Sequence, residues 1–580
     1  MKRIEPRIKN RGADLLALLL RAHGVRQVTA LTGGAIMETL DALEADRNLN
    51  VRIFQTEQGA AWAAMGYARA TGNVGVCAVT SGPGATNTIT PIADARRDNV
   101  PIIVITGQVP SGARFSDAFQ EVNIAEIVAP VAKKAYHLHR VEDLIEVVTD
   151  AFQVAREGRP GPVLIDFTKD AQEAPVGSDK FDLCENLRVG DGAPRTRSCL
   201  PVQALDAASH ALREACRPVV IAGYGVVLAA AERELQDFLA FAPCPVVHTL
   251  PGKAALPSTH ACNYGMLGMH GFYVANWMVH HADLVLSFGS RYDDRVTADV
   301  SRFAPGARQL IHFDIDADQI EKVLPGRKLG IVGNLKQTLP AFSERLRETP
   351  FTCEKWHETI RCVESEHPST YVRRTGGLQA QHALAVLNDA VEKHTRATAQ
   401  KVIYTSEVGN HQMWAGQYLR MRPEWQFITS SGQGAMGSGL PMAIGAQLAR
   451  RDDLVICLTG DGSLRFSEAE LETIWEYRLP VKVLVFNDGG YGIVRMWNHR
   501  FYQGRETGVV KKNKDWNLLA RASGFSKARV HRVTQPEELA DVLPGALAHR
   551  DPHFIELVTP YEECLPLTPP GKSFDDIILE

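Results

Sequence analysis

Three doubly wound α/β domains in tandem are predicted by this 580-residue chain, and three observations predict them. Apolar runs of strand length alternate with helix-like stretches along most of the sequence, the pattern that builds parallel sheets covered by helices on both faces. Two polar joins interrupt that alternation, one over 172–200 with Asp191-Gly-Ala-Pro-Arg-Thr-Arg197, the other over 350–375, charged and rich in His, Glu and Ser. The outer two segments also look alike. Val76-Cys-Ala-Val-Thr-Ser-Gly-Pro-Gly84 and Val455-Ile-Cys-Leu-Thr-Gly-Asp-Gly462 each run an apolar strand into a Gly-rich turn. The expected units are residues 1–175, 195–346 and 376–562, with an extended tail over 563–580.

Element by element, the first unit opens on a helix beginning near Ala13 and closes on the strand Gly161-Pro-Val-Leu-Ile-Asp-Phe167. The second starts at Arg217-Pro-Val-Val-Ile-Ala-Gly223, a strand followed by Gly223-Tyr-Gly225. The third glycine of a dinucleotide fingerprint is missing there, so the pair also fits a plain strand–helix turn. In the third unit, Leu454–Gly460 ends at Asp461-Gly-Ser463, a helix-like stretch spans Glu468 to Tyr477, and Pro480 ends it. A second apolar run from Val481 then stops at Asn487-Asp488-Gly-Gly490.

Bulk composition excludes several classes. The chain is 45% hydrophobic and 22% charged, as in ordinary globular proteins. A net charge of −4 gives no electrostatic case for nucleic acid or an anionic membrane. Ten cysteines are scattered without a CxxC, which reads as reduced thiols in a cytosol-like compartment. The N-terminus is basic but lacks the apolar core of a secretory signal, and the run Leu15–Leu20 is far too short to span a bilayer. A soluble, cytoplasmic protein is expected.

The βαβ unit around Asp461 carries the chemistry. Parallel strands place their C-terminal ends side by side, so Asp461 and Asp488, 27 positions apart, can face one crevice. Two hard oxygen ligands there suit a magnesium ion carrying a diphosphate. Asp, Asn and Gly are also ordinary turn residues after strands. The wording narrows the choice: Gly-Asp-Gly-Ser, about two dozen residues, then an Asn-Asp pair closely resembles the metal-binding signature of thiamine-diphosphate enzymes. Glu57, in Phe54-Gln-Thr-Glu-Gln-Gly-Ala-Ala, opens a small-residue helix after a strand. On its own it reads as a carboxylate favoured at a helix N-terminus. Beside a thiamine-diphosphate site, a carboxyl among Ala and Gly can instead bond the aminopyrimidine N1′ and share a proton with it.

From about residue 15 to 570 the chain resembles the catalytic subunits of acetohydroxyacid (acetolactate) synthases. The resemblance is carried by Thr56-Glu-Gln-Gly-Ala, Gly66-Tyr-Ala-Arg-Ala-Thr-Gly, Thr80-Ser-Gly-Pro-Gly-Ala-Thr-Asn87 and Ser116-Asp-Ala-Phe-Gln-Glu. Gly158-Arg-Pro-Gly-Pro-Val, Gly265-Met-Leu-Gly-Met-His-Gly, Arg291-Tyr-Asp-Asp-Arg295, Asp314-Ile-Asp316 and Leu565-Pro-Leu-Thr-Pro-Pro-Gly-Lys add to it. It implies a pyrimidine-binding domain, a central domain of the type that holds FAD, and a diphosphate-binding domain. Active sites would then lie between the subunits of a homodimer or homotetramer, with a small regulatory subunit as a further partner.

Carried onto matching positions, the resemblance implies that Asp461, Asp488 and the Gly490 carbonyl hold Mg2+. It also implies that Pro83, Asn87, His411, Gly434, Gly462 and Ser463 contact thiamine diphosphate, with Met436 as the apolar wedge that bends it. Glu57 is the implied proton-handling carboxyl, and Phe119, Gln120 and Lys169 line the substrate entrance. Arg295 and Trp497 would recognise the second 2-keto acid, with Met269 packed beside them, and Gly223, Gly225 and Asp314 are the weaker FAD contacts. The implied activity is decarboxylation of pyruvate and ligation of the two-carbon unit to a second 2-keto acid, giving acetolactate or acetohydroxybutyrate.

Four positions depart from that pattern: Asp488 for the usual Asn, Asn410 for Gln, Thr32 for Pro, and Met496-Trp-Asn498 for Gln-Trp-Gln. They surround the cofactor and acceptor, so a paralogue with another keto-acid acceptor is an alternative. A non-ligating decarboxylase, a flavin-dependent pyruvate oxidase and a catalytically silent regulatory paralogue are the others. The last would be expected to have lost Glu57 or Asp461, and both are present.

Overall fold

The computed structural model describes residues 10–185, 200–323, 328–512 and 514–580. It contains three six-stranded sheets, parallel throughout. The first is built from β1 (Gln27–Ala30), β2 (Asn50–Ile53), β3 (Gly75–Val79), β4 (Ile102–Gln108), β5 (Lys134–Leu138) and β6 (Val163–Thr168), in the order 2-1-3-4-6-5. The second uses β7 (Pro218–Ala222), β8 (Val246–His248), β9 (Asn263–Met266), β10 (Leu284–Phe288), β11 (Gln309–Asp314) and β12 (Lys328–Val332), ordered 12-11-10-7-8-9. The third uses β13 (Val402–Ser406), β14 (Gln426–Thr429), β15 (Leu454–Gly460), β16 (Lys482–Asn487), β17 (Val530–Val533) and β18 (His553–Val558), ordered 14-13-15-16-18-17. Outer sheets one and three therefore share one strand order, as their similar wording predicts.

The outer domains meet along two helices of small residues, Glu57–Thr71 and Gly439–Ala449. Thr56 caps the first by accepting from the Gly59 N–H, and left-handed Gly72 closes it. Both helices are apolar nearly all round, which marks a helix buried in a core. Glycine at the crossing lets the backbones touch: a Cβ on Gly66 would stand 2.1 Å from the Met442 carbonyl oxygen, and one on Gly445 only 1.9 Å from that of Ala63. A buried ion pair, Arg69 to Asp98 at 2.7 Å, lies beside the crossing. Asp98 also accepts from Ser431 N (2.9 Å), Ser431 Oγ (2.6 Å) and Gly432 N (2.8 Å), so the first domain pins the loop after β14.

The joins differ from expectation. Residues 186–199 of the first lie outside the described residues, but its start forms the helix Ser178–Glu185, packed on Gly12–Ala22. The second is not structure-poor, because Glu354–Glu366 is helical. Trp356 and Ile360, one turn apart, are buried in the central domain's core, and the indole N–H donates to the Pro218 carbonyl at 3.1 Å. With half-buried Val363 packed beside them, these few apolar residues among many charges suffice to dock the helix. The tail is tied down by Thr568 N to Met269 O (2.7 Å), Asp299 N to Lys572 O (3.1 Å) and the pair His280–Asp575 (2.9 Å).

Candidate active site

Parallel pairing of β15 with β16 brings Gly460 opposite Phe486, so the turns carrying Asp461 and Asp488 leave the sheet together. Asp461 is 1% exposed, and neither of its carboxylate oxygens has a hydrogen-bond partner among the described residues. Burial, and then the neighbouring Asp488, push its pKa up to about 7. Burial likewise pushes half-buried Asp488 up to about 6. The bare oxygens of buried Asp461, beside the half-buried Asp488 carboxyl, leave a cation's share of the corner unmet, and hard oxygen donors fit Mg2+.

The surrounding residues close that corner. A Cβ on Gly462 would come within 2.7 Å of the Gly490 carbonyl oxygen, so this glycine keeps the two turns in contact. A Cβ on Gly492 would meet both Asp488 Oδ2 (2.1 Å) and Asn410 Nδ2 (2.8 Å), which places the Asn410 amide beside the Asp488 carboxylate. Asn410 also donates to the Glu562 carbonyl at 3.1 Å. Ser463 Oγ donates to Val408 O at 3.2 Å. Buried His411 has Nε2 3.4 Å from Glu407 Oε1, and its ring lies against Gly460. Met436 is half-buried on a turn between Gly434 and Gly437, both left-handed at φ +63° and +80°.

A second group assembles on the first domain. Glu57 is the first residue of its helix, and its Oε2 accepts from Asn87 Nδ2 at 3.0 Å. Pro83 opens the short helix Pro83–Thr86. Gly82 packs against Gln120, where a Cβ would stand 2.9 Å from the Gln120 Cβ. Phe119 is 87% exposed. Lys169 follows β6 and lies 4.0 Å from Glu173.

Between the three domains opens a cavity of about 880 Å³, within the range of small-molecule and cofactor pockets. Met269, Arg295, Trp497, Gly434, Gly225 and Asp314 all line it. Arg295 lies over the Trp497 ring at 5.7 Å, and its Nη1 approaches Met269 Sδ at 3.0 Å. Gly223 is not among the lining residues: a Cβ there would stand 2.2 Å from the Gly289 carbonyl oxygen, so it serves close packing of two strand ends. Glu57, Phe119, Gln120, Lys169, Asp461 and Asp488 are also absent from the lining, so within one chain the predicted residues fall into separate groups. Two cavity residues, Arg159 and Arg291, went unassigned in the sequence reading. Arg159 Nη1 bonds Gln319 Oε1 at 3.0 Å, and Arg291 pairs with Asp293 at 2.6 Å. Their signal was available in the Gly158-Arg-Pro-Gly and Arg291-Tyr-Asp-Asp motifs.

The comparisons with known proteins agree with this geometry. Residues 10–127 match the thiamine pyrophosphate enzyme N-terminal TPP binding domain, 205–342 the central domain, and 407–557 the C-terminal TPP binding domain. The acetolactate synthase isozyme 2 large subunit of Escherichia coli (strain K12) is 38% identical, over 98% of this chain and 99% of its own. The acetolactate synthase large subunit of Parasynechococcus marenigrum (strain WH8102) is 40% identical over 97% of this chain and 90% of its own. The chloroplastic acetolactate synthase 2 of Nicotiana tabacum is 36% identical over 100% and 87%. With three domain models in order and full-length similarity, the chain belongs to the acetolactate synthase large-subunit family of thiamine pyrophosphate enzymes.

Proposed function

We propose that this enzyme decarboxylates pyruvate and joins the two-carbon unit to a second 2-keto acid, giving acetolactate, or acetohydroxybutyrate when the second acid is 2-ketobutyrate. The observation that carries the reading is buried Asp461, whose two carboxylate oxygens lack partners among the described residues, set beside the Asp488 carboxyl. Asp461, Asp488 and the Gly490 carbonyl would hold Mg2+, and through it the diphosphate of the cofactor. Thiamine diphosphate, once bound, supplies the electron sink that decarboxylation of a 2-keto acid requires.

The chain's own residues do the rest. Met436, on a turn between two left-handed glycines, would offer the cofactor an apolar surface. Glu57 holds a proton at the pyrimidine N1′, and Asn87 orients its carboxylate. The Arg295 guanidinium binds the carboxylate of the second keto acid bidentately. Trp497, stacked on Arg295, presents an apolar face to the acceptor's alkyl group. A decarboxylase that only protonates its intermediate has no use for such a clamp, which favours carboligation.

The cavity of about 880 Å³ has the size and the mixed lining that FAD would occupy, with Gly225 and Asp314 among its contacts. FAD has no redox step to perform in this reaction. Since Glu57 does not line the cavity holding Arg295 and Trp497, a second copy of the chain would bring its own Glu57 and exposed Phe119 to the Asp461 corner. That gives a homodimer or a homotetramer, and a small regulatory subunit is a further partner. The nine described cysteines are free thiols, which suits the cytoplasm; no described helix is long and apolar enough to cross a membrane.

Product analysis tests the reading. The protein is incubated with thiamine diphosphate, Mg2+, FAD and pyruvate, with and without 2-ketobutyrate. Acetolactate and acetohydroxybutyrate are the expected products; free acetaldehyde as the main product would assign a decarboxylase instead.

A further inference from the structure

Apart from the sites above, a smaller hollow of about 140 Å³ opens at the carboxyl end of the first sheet. It is lined by Ser111, Arg114, Phe115, His137 and His139. Ser111 and Arg114 lie just beyond the end of β4, His137 lies on edge strand β5, and His139 directly follows that strand. A guanidinium, two imidazoles and a hydroxyl thus converge from two chain segments.

Two of these side chains, Arg114 and His139, lack hydrogen-bond partners among the described residues, whereas the Ser111 hydroxyl donates to Thr168 Oγ1 at 3.5 Å. The Arg114 guanidinium has no ion pair or hydrogen bond among the described residues, and its buried Nε lacks a partner. It is held in place by lying 4.6 Å over the Phe115 ring. His139 has no hydrogen bond among the described residues and stacks on His137 at 5.3 Å. His137 is oriented from behind: its Nδ1 lies 3.1 Å from Oδ2 of fully buried Asp166. Asp166 is itself fixed by Thr106 Oγ1 and Gln108 Nε2, each at 3.0 Å. A carboxylate can only accept, so Nδ1 carries the proton and Nε2 is the ring nitrogen left for a ligand.

No carboxylate lines the hollow. The nearby acids are occupied with backbone: Asp170 accepts from Ser111 N at 3.0 Å, and Glu121 accepts from Phe115 N. With Arg114 as the formal charge in its lining, and the Asp166 carboxylate turned to Thr106, Gln108 and His137 Nδ1, the hollow favours an anion. Its chemistry separates phosphate from carboxylate. Bare oxygens suit Arg114, while the O–H of a hydrogen phosphate can donate to a neutral imidazole Nε2; a carboxylate at neutral pH has only acceptors. The volume is below the range of pockets that enclose a whole small-molecule ligand, so it seats a phosphate group with any attached moiety left outside.

We propose that the Ser111–Arg114–His137–His139 hollow is a binding site for a phosphate group, carried by inorganic phosphate or by a small phosphomonoester. The lining segment runs on to Phe119 and Gln120 and has left-handed residues at Phe115, Asp117 and Gln120, so a bound anion braces that stretch.

The test uses holoenzyme saturated with thiamine diphosphate, Mg2+ and FAD, so that the diphosphate corner is filled. Inorganic phosphate is titrated calorimetrically at constant ionic strength against wild type, Arg114→Met and His139→Leu. The expected result is saturable binding of one phosphate per chain, weakened at least tenfold in both variants, with phosphate-free pyruvate turnover unchanged. Glycerol 3-phosphate in parallel separates the two sources: equal or tighter binding assigns a phosphomonoester, weaker binding free phosphate. Absence of saturable binding to wild type, undiminished binding in both variants, or acetate binding as tightly as phosphate would overturn the assignment.

Discussion

The Arg295 guanidinium lies 5.7 Å over the ring of Trp497 while its Nη1 approaches Met269 Sδ at 3.0 Å, so three residues from distant parts of the chain form one wall of the large cavity. A hydrogen bond to a charged group contributes about 1.5–3 kcal/mol. Arg295→Ala should therefore lower kcat/KM for the second keto acid by about tenfold to a hundredfold, with pyruvate decarboxylation less affected. Trp497→Leu removes the apolar surface proposed to face the acceptor's alkyl group. Competition between pyruvate and 2-ketobutyrate, read as the ratio of the two products, should shift toward acetolactate by about tenfold or more, the scale of a methylene's worth of pocket contact.

Glu57→Gln keeps the hydrogen bond from Asn87 but cannot exchange a proton. Turnover is expected to fall by about 10² or more, the scale of a lost acid–base group. Binding of thiamine diphosphate, followed by thermal shift, should survive. Near-normal turnover would remove Glu57 from the chemistry.

Asp461→Asn replaces a buried, unpartnered carboxylate with a neutral group of the same shape. The metal-free protein should be no less stable than wild type, because burying an unpaired charge is costly. Added Mg2+ and thiamine diphosphate, which at a hundred times Kd stabilise a protein by about 2.7 kcal/mol, should no longer raise its Tm. A wild-type-like Tm shift in this variant would dismiss Asp461 as a metal ligand.

Gly445→Ala inserts a methyl group where 1.9 Å separates a Cβ from the Ala63 carbonyl oxygen. The two helices must move apart, and overpacking of this kind costs about 1–3 kcal/mol. Thermal unfolding should show a lower Tm. An unchanged Tm would show that the crossing yields at no cost.

Buried Asp94 accepts from Ser430 Oγ at 2.8 Å, and its second oxygen has no partner among the described residues. Burial, then the nearby Asp98, raise its pKa well above the carboxylate range. A raised carboxyl binds its proton more tightly folded than unfolded. Its contribution to stability is full below the unfolded value of about 4 and is lost as pH rises toward the folded value. Asp94→Asn mimics the protonated form, so the variant's stability relative to wild type should grow between pH 4 and pH 7 in denaturant titrations. A difference constant across that range would refute the shift.

How much could be read in advance depended on distance along the chain. Asp461 and Asp488 were legible because each ends a strand of one βαβ unit, and adjacent parallel strands must deliver their ends to the same rim. The likeness of the outer sheets was legible too, since strand-to-glycine wording tracks the turns of a shared strand order. The Glu354–Glu366 helix was hidden because a surface helix needs few apolar residues, and Trp356, Ile360 and Val363 among many charges leave a faint periodic signal.

Local pattern, then, settled the three parallel sheets and the juxtaposition of Asp461 with Asp488, because strand alternation and turn chemistry are short-range. Packing settled which of the marked residues share a surface. Trp497 meets Arg295 and Met269 only once the central and third domains are docked, and the loop carrying Gly434 is fixed by Asp98 from the first domain. The cationic hollow at Arg114 and His137 likewise exists only because β6 lies between β4 and β5, bringing Asp166 behind the imidazole from a strand far along the chain. Such juxtapositions follow from the cooperative burial of whole sheets and helices, which no single stretch of sequence encodes.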